Sequence, residues 1–142
     1  MKKNDLITLN YTAGLFDGEG SVLLSYKNKK DKFRTQCVSL TSTTYPLVEF
    51  LKENYEGYIC NQKIYKKHHK KAWIWKLSGR KAVDFLNKIY PYLKETDKIY
   101  RAKLIATKYP QVTLRNGKYN IEQLQYKKDF ENAFYHPSKP LA

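Results

Sequence analysis

The stretch of sequence that decides the fold is LITLNYTAGLFDGEG, residues 6–20. From residue 6 to residue 18, apolar or small side chains recur at helical spacing on two sides of the segment. One side comprises Leu6, Leu9, Ala13 and Phe16, and the other comprises Ile7, Tyr11, Gly14 and Gly18. At about 100° per residue, these sides lie roughly 150° apart. The pattern predicts a helix that packs on the chain's own core with one side and on a second helix with the other.

The second side of this helix contains two glycines, Gly14 and Gly18, four residues apart. A glycine inside a helix costs about 1 kcal/mol relative to alanine, so the pair requires a compensating interaction. Because glycine has no side chain, another backbone can approach closely at these positions. We therefore predict a close helix contact through Ile7, Tyr11, Gly14 and Gly18.

Turn residues and hydrophobic periodicity divide the rest of the chain into two hairpins and four helices. The hairpins cover residues 21–41 and 57–78, and the helices cover residues 46–55, 79–90, 96–110 and 120–134. We expect Thr96 or Asp97 to cap the 96–110 helix and Pro110 to end it, while Asn120 and Gln123 resemble a capping box. The order α-β-β-α-β-β-α-α, followed by a helical extension, predicts an α+β fold. Its four-stranded antiparallel, saddle-like sheet would have the helices on one face and leave the other face free.

The chain is strongly basic, with 27 Lys and Arg against 13 Asp and Glu and a formal net charge of +14. Such an excess favours a polyanionic partner. A membrane surface is the rival to nucleic acid, yet no segment approaches the roughly 20 apolar residues of a spanning helix. The first residues are positively charged but lack the apolar stretch of a signal peptide. We therefore expect an intracellular protein and no membrane partner, with the compartment left open.

The two cysteines are too few for a disulfide scaffold. A zinc site built from Cys37, Cys60, His68 and His69 is conceivable, but these residues lack any recognised ligand spacing. We interpret both cysteines as small strand residues.

Both hairpins combine basic residues with polar and aromatic ones. No acidic residue occurs between Gly57 and Val83, and the tip of the first hairpin has the single acid Asp31. A twisted β-ribbon of this charge fits the DNA major groove, where lysines hold phosphates and other side chains reach base edges. The alternative is a solvated, lysine-rich surface. We predict a DNA-binding surface that comprises Ser25, Lys27, Lys29, Arg34, Gln36, Cys60, Gln62, Ile64, Lys66, Lys67, Lys70, Lys71 and Lys76.

The second strand offers two ways to face DNA, depending on how it pairs. Simple alternation directs Thr35, Cys37 and Ser39 to the free face of the sheet. A β-bulge would bring Arg34 and Gln36 round instead, and this is the alternative that we select.

Two acidic residues, Asp17 and Glu19, lie at the end of the first helix. Carboxylates there face the negative end of the helix dipole, which disfavours each by roughly 0.3–1 kcal/mol. A bound cation would compensate, and Mg²⁺ prefers oxygen ligands. Alternatively, Glu19 merely offsets nearby lysines. The spacing of the residues does not separate these two interpretations.

Residues 12–20, TAGLFDGEG, resemble the nine-residue LAGLIDADG motif of homing endonucleases. Thr12 stands in place of the leading Leu, and Glu19 in place of the second Asp, which retains a carboxylate. The strand SVLLSY, the two basic hairpins and the Pro-Tyr-Leu at residues 91–93 resemble the same family. The likeness extends over about residues 6–108. We expect one domain over residues 1–142, with a C-terminal helical extension at about residues 119–134.

The resemblance implies an intron-encoded, single-motif homing endonuclease that works as a homodimer on a long pseudo-palindromic site in double-stranded DNA. It implies that Glu19 is the catalytic carboxylate and a ligand of Mg²⁺ or another divalent cation, and that the Gly18 carbonyl completes the coordination. Family members make double-strand breaks with short 3′ overhangs, using metal ions to activate water and stabilise the leaving oxygen. We assign Asp17 to structure.

The chain departs from the family pattern at two further places. Many relatives have a lysine soon after the Pro-Tyr-Leu segment, and here that position falls on Thr96, between Lys94 and Lys98. We select Lys98 as the catalytic substitute, with Lys94 as the alternative. A polar residue that relatives supply after the second strand falls on Ser42.

Two other functions remain open for the same fold. One is an RNA-binding maturase that assists splicing of its own intron, and the other is a DNA-binding regulator without catalysis. The presence of Glu19 favours the endonuclease over the regulator, because a pure binder has no need of an acid beside phosphates. It does not separate the endonuclease from the maturase.

Overall fold

The computed structural model describes residues 5–26, 28, 34–63, 70–112 and 120–135, with side chains in the fourth helix described as far as residue 107. Its elements are α1 (Leu6–Glu19), β1 (Gly20–Ser25), β2 (Thr35–Ser42), α2 (Tyr45–Tyr55), β3 (Tyr58–Asn61), β4 (Trp73–Ser78), α3 (Arg80–Ile89), a 3-10 turn (Tyr90–Tyr92), α4 (Thr96–Val112) and α5 (Ile121–Tyr135). This order confirms the predicted α+β fold.

Local capping explains where several helices begin. The Asp5 carboxylate accepts a hydrogen bond from the Thr8 amide at 2.7 Å, and this bond lowers the pKa of Asp5. At the start of α5, the Asn120 side chain accepts from the Gln123 amide at 2.8 Å, and the Gln123 side chain accepts from the Asn120 amide at 2.9 Å. The predicted capping box is therefore confirmed.

The predicted cap of α4 and its predicted end at Pro110 are wrong, although the helix does begin at Thr96. The cap is Glu95, whose carboxylate accepts hydrogen bonds from the amides of Asp97 and Lys98 at 3.2 and 2.7 Å. At the other end, the helix passes Pro110 and continues to Val112. A proline this close to the end of a helix removes only one of the last hydrogen bonds, so it does not force an earlier end.

The four strands form one antiparallel sheet in the order β1-β2-β4-β3. The two hairpins join through β2 and β4, which leaves β1 and β3 at the edges. The β1–β2 register is unbroken from Gly20 opposite Leu40 to Ser25 opposite Thr35. On the side of the sheet that faces the helices, the buried side chains of β1, β2 and β4 include Val22, Leu24, Gln36, Val38, Leu40, Trp75 and Leu77.

One hydrophobic core lies between that face of the sheet and the helices. Trp75 is at its centre, 5.3 Å from the ring of Phe85, and its indole donates a hydrogen bond to the Glu56 carbonyl at 2.8 Å. Phe130 and Phe134 of α5 belong to the same core, so the C-terminal helix packs on the fold. Among the described residues, no helix combines the length and hydrophobicity that a membrane span requires.

A buried polar contact anchors α1 on α2. The Thr12 hydroxyl donates to the Thr8 carbonyl at 2.8 Å and lies 2.6 Å from the Tyr55 hydroxyl. Because a threonine has one hydroxyl proton, Tyr55 is the donor in the second bond. Thr12, where the motif has an apolar residue, is thus satisfied on both sides.

We expect Thr12→Val to lower the free energy of unfolding by about 1–3 kcal/mol, because it leaves the buried Tyr55 hydroxyl without a partner. Burial raises the pKa of Tyr55 above its ordinary 10.0. The part of the free energy of unfolding that is linked to this pKa shift is therefore fully present below pH 10.0, and it is lost as the pH rises through the raised pKa. Urea denaturation at neutral pH measures the loss. A second change, Tyr55→Phe, should recover part of it, and a double variant less stable than Thr12→Val would contradict the assignment.

Candidate catalytic carboxylate and nucleic-acid interface

The end of α1 is held by the segment that leads into α4. The Asp17 carboxylate accepts hydrogen bonds from the backbone amide of Lys94 at 2.9 and 3.1 Å and from that of Glu95 at 3.0 Å. Two orphan donors before α4 are thereby satisfied, and the two helix ends are joined. The prediction that Asp17 has a structural role is confirmed.

Lys98 and Lys94 both lie beside this end of α1. The Lys98 ammonium donates to the Asp17 carbonyl, and its side chain is half-buried. Lys94 is exposed. A cation at the last carbonyls of a helix is favoured by the helix dipole, so Lys98 supplies part of the compensation that the acids at this end require.

Glu19, the last residue of α1, is exposed. Within the described part of the chain, its carboxylate forms no hydrogen bond or ion pair with another residue. Gly18 is also exposed and lies in the last turn, where backbone carbonyls have no donor within the helix. One carboxylate and one carbonyl thus face solvent at the same helix end.

A carboxylate and a backbone carbonyl are oxygen ligands of the kind that a divalent cation prefers, but two such groups are too few to complete its coordination. Mg²⁺ takes six oxygen ligands and is held by carboxylates, water and phosphates. No group of three or more His, Cys, Asp or Glu side chains that could hold a metal occurs among the residues that the structure describes. Cys37 and Cys60 lie on β2 and β3, with β4 between them. Among the described residues, one carboxylate and one carbonyl are thus fewer oxygen groups than the six ligands of Mg²⁺.

The side of α1 that turns away from the core is apolar and contains the two glycines. Ile7 is 83% exposed and Tyr11 52%, and both Gly14 and Gly18 are exposed. A Cβ atom added at either glycine would meet nothing within 4 Å. Leu6, which we expected on the core side, is also exposed. This face has room for a partner backbone, and the predicted dimer contact through these residues stays a prediction.

The face of the sheet opposite the helices is the candidate nucleic-acid surface. The register places Ser21, Leu23, Ser25, Thr35, Cys37, Ser39, Thr41, Tyr58, Cys60, Ile74, Lys76 and Ser78 on it. Of the predicted residues, Ser25, Cys60 and Lys76 lie here. Ser21, Leu23 and the residues of β4 beside Lys76 were not predicted, although strict alternation along β1 and β4 would have found them.

Gln36 is not on this face, and the expectation of a bulge is wrong. Gln36 lies opposite Leu24 on the helix-facing side and is completely buried. Arg34, which the same bulge was to bring round, is held at the base of the hairpin, where its guanidinium lies over the rings of Tyr26 and Tyr135. Uninterrupted pairing, not a bulge, determines which residues of β2 face outward.

Other predicted DNA contacts lie beyond the free face. Gln62 and Lys70 are exposed, and the Lys71 ammonium lies 5.5 Å from the centre of the Trp73 ring. Five of the predicted contacts lie outside the described residues, namely Lys27, Lys29, Ile64, Lys66 and Lys67. Ser42, the candidate polar residue after β2, accepts a hydrogen bond from the Thr44 amide at 2.9 Å.

Several solved structures share this fold. The homing endonuclease I-GzeII in complex with its DNA target is similar with a TM-score of 0.66 and 18% identity, over 90% of this chain and 44% of that one. The intron-encoded homing endonuclease I-CeuI with DNA has a TM-score of 0.61 and 15% identity, over 94% and 69% of the two chains. I-CvuI, complexed with a DNA target in the presence of Mg, has a TM-score of 0.57 and 14% identity, over 88% and 95%.

A comparison with curated protein sequences finds no match. The model of the LAGLIDADG-like domain, in contrast, matches residues 7–90. This range is more than half of the chain and includes α1, the whole sheet and α3. The chain therefore belongs to the LAGLIDADG-like domain family, as its motif predicted, and has the fold of the LAGLIDADG homing endonucleases.

Proposed function

We propose that this protein is a site-specific DNA endonuclease that makes metal-dependent double-strand breaks. It acts as a homodimer on a long pseudo-palindromic site and leaves short 3′ overhangs. One observation carries the proposal: an exposed carboxylate without a partner among the described residues, Glu19, ends the helix whose exposed side contains Gly14 and Gly18. Homing endonucleases of the same fold have been solved with DNA and with Mg or Ca.

The position of Glu19 relative to the glycines supports a two-fold dimer. Two copies of α1 that run in the same direction and meet through Ile7, Tyr11, Gly14 and Gly18 would bring two Glu19 carboxylates together at one end of the contact. A two-fold axis there relates the two sheets and makes the recognised site pseudo-palindromic. The second copy also supplies the oxygen ligands that a single chain lacks.

Each residue at this helix end has a separate part in the mechanism. A bound divalent cation would supply Lewis acidity at the scissile phosphate. The Glu19 carboxylate and the Gly18 carbonyl would hold that cation. Lys98 stabilises the last turn through the Asp17 carbonyl and retains two N–H donors for a phosphate oxygen. The exposed ammonium of Lys94 is a second cation for the same phosphate.

The free face of the sheet supports DNA recognition. Its hydroxyl groups and the Lys76 ammonium alternate with buried side chains, so they point to one side of a ribbon that fits the major groove. The net charge of +14 favours binding to phosphates along the whole surface. Since the substrate is DNA, an intracellular location is part of the same proposal.

In vitro selection of cleaved sites from a random DNA library with Mg²⁺ tests this function. We expect recovered sites with two-fold sequence symmetry, short 3′ overhangs and no cleavage in EDTA. Recovery of tightly bound but uncut duplexes would instead indicate the DNA-binding regulator. Preferential binding to a structured RNA that it helps to splice, without DNA cleavage, would indicate the maturase. Either result overturns the proposal.

A further inference from the structure

The free edge of β1 is covered by helical side chains. β1 is an edge strand, so one side of its backbone has no neighbouring strand. The Tyr135 hydroxyl accepts a hydrogen bond from the Leu24 amide at 3.0 Å and donates one to the Leu24 carbonyl at 2.6 Å. Arg101 donates to the Val22 carbonyl at 3.0 Å. Side chains of α4 and α5 thus bond to β1 as a neighbouring strand would.

Arg34, just before β2, also contacts the C-terminal turn of α5. The Arg34 guanidinium lies 5.1 Å from the ring centre of Tyr26, directly after β1, and 4.9 Å from that of Tyr135 in α5, so it is stacked between the two rings. The Arg34 backbone amide donates to the Glu131 carboxylate at 2.8 Å. Glu131 and Tyr135 are one helical turn apart. Leu24 of β1 and Arg34, which directly precedes β2, are therefore both fixed to a single turn of α5.

The helix that provides these contacts is itself anchored in the core. Phe130 and Phe134 are buried, and the Arg101 guanidinium lies 4.8 Å from the ring centre of Phe134. The Tyr100 hydroxyl of α4 donates to the Ala133 carbonyl at 2.7 Å. The end of α5 is consequently packed firmly enough in the core to restrain the first hairpin.

We propose that Tyr135 is a positioning residue for DNA recognition by the first hairpin, acting through the backbone of Leu24 and the side chain of Arg34. This inference rests on the proposed function. Leu23 and Ser25, the neighbours of Leu24 in β1, lie on the free face of the sheet, so a shift of the Leu24 backbone moves both of these side chains. Discrimination between bases requires side chains held to within about 0.5 Å, whereas phosphate attraction does not. Tyr135 therefore acts on sequence discrimination and not on general affinity.

Tyr135→Phe is the variant that tests this inference, because it removes the hydroxyl and retains the ring beside Arg34. Tyr100→Phe is the matched control: it removes a hydrogen bond that holds α5 to α4 but leaves in place both hydrogen bonds between Tyr135 and the backbone of Leu24. The first measurement is hydrogen exchange of the Leu24 amide in the free protein. The second is the ratio of the affinity for the selected target to the affinity for an unrelated duplex.

In Tyr135→Phe, we expect the Leu24 amide to exchange roughly tenfold faster and the affinity ratio to fall roughly tenfold, as the loss of about one hydrogen bond predicts. The affinity for the unrelated duplex should not change, and Tyr100→Phe should leave the ratio as it is. An unchanged ratio in Tyr135→Phe, or an equal fall in Tyr100→Phe, overturns this inference alone. A wild-type protein that prefers no duplex overturns the proposed function as well.

Discussion

Glu19→Gln is expected to bind the selected DNA site as well as the wild type and to cut it at least about a thousandfold more slowly in Mg²⁺. The amide is nearly the same size as the carboxylate but lacks the charge that holds a divalent cation. Since Glu19 is exposed and its carboxylate has no partner among the described residues, folding should not change. Single-turnover cleavage of the selected site, beside a binding measurement in Ca²⁺, gives both quantities.

The control for this variant is Glu49→Gln, the same change at an exposed position of α2. It should cut at the wild-type rate, which excludes an effect of net charge alone. Cleavage by Glu19→Gln at more than a tenth of the wild-type rate would remove Glu19 from the mechanism. A fall in binding equal to the fall in cleavage would assign Glu19 to DNA recognition instead.

Gly14→Leu is expected to dissociate the dimer and abolish cutting while the monomer remains folded. A Cβ atom at this position meets nothing within 4 Å in one chain, and leucine is a better helix former than glycine. The monomer should therefore gain up to about 1 kcal/mol in stability. Across a close helix contact, the added side chain appears twice and overpacks the interface. We expect the dissociation constant of the dimer to rise at least about thirtyfold.

Sedimentation equilibrium without DNA measures this dissociation, and thermal unfolding measures the stability of the chain. Asn87→Leu adds the same side chain to an exposed position of α3 and should leave the dimer intact. Gly20→Ala is a contrasting variant, because its Cβ would overlap the Phe16 ring within the same chain and so destabilise the fold. A Gly14→Leu protein that remains dimeric and active would show that the two chains do not meet through this face.

Local periodicity was sufficient for α1 and for the alternation of the strands. The order of helices and strands and the capping box at Asn120 follow from residue spacing within a few turns, whereas the structural role of Asp17 was assigned together with the family resemblance. Propensity, capping and side-chain period depend on neighbours in the chain, so they can be read without the fold. The exposed glycine face of α1 was predicted in the same way.

What only the tertiary structure decided depends on residues far apart in the chain. The pairing of Leu24 with Gln36 sends Gln36 into the core, and a shift of one residue would have reversed every side chain of β2. Asp17 finds its donors at Lys94 and Glu95, and Leu24 finds its partner at Tyr135. Such contacts are determined by the way in which the strands and helices bury their apolar faces against one another. Because this packing involves residues from the whole molecule, these contacts leave no local pattern in the sequence.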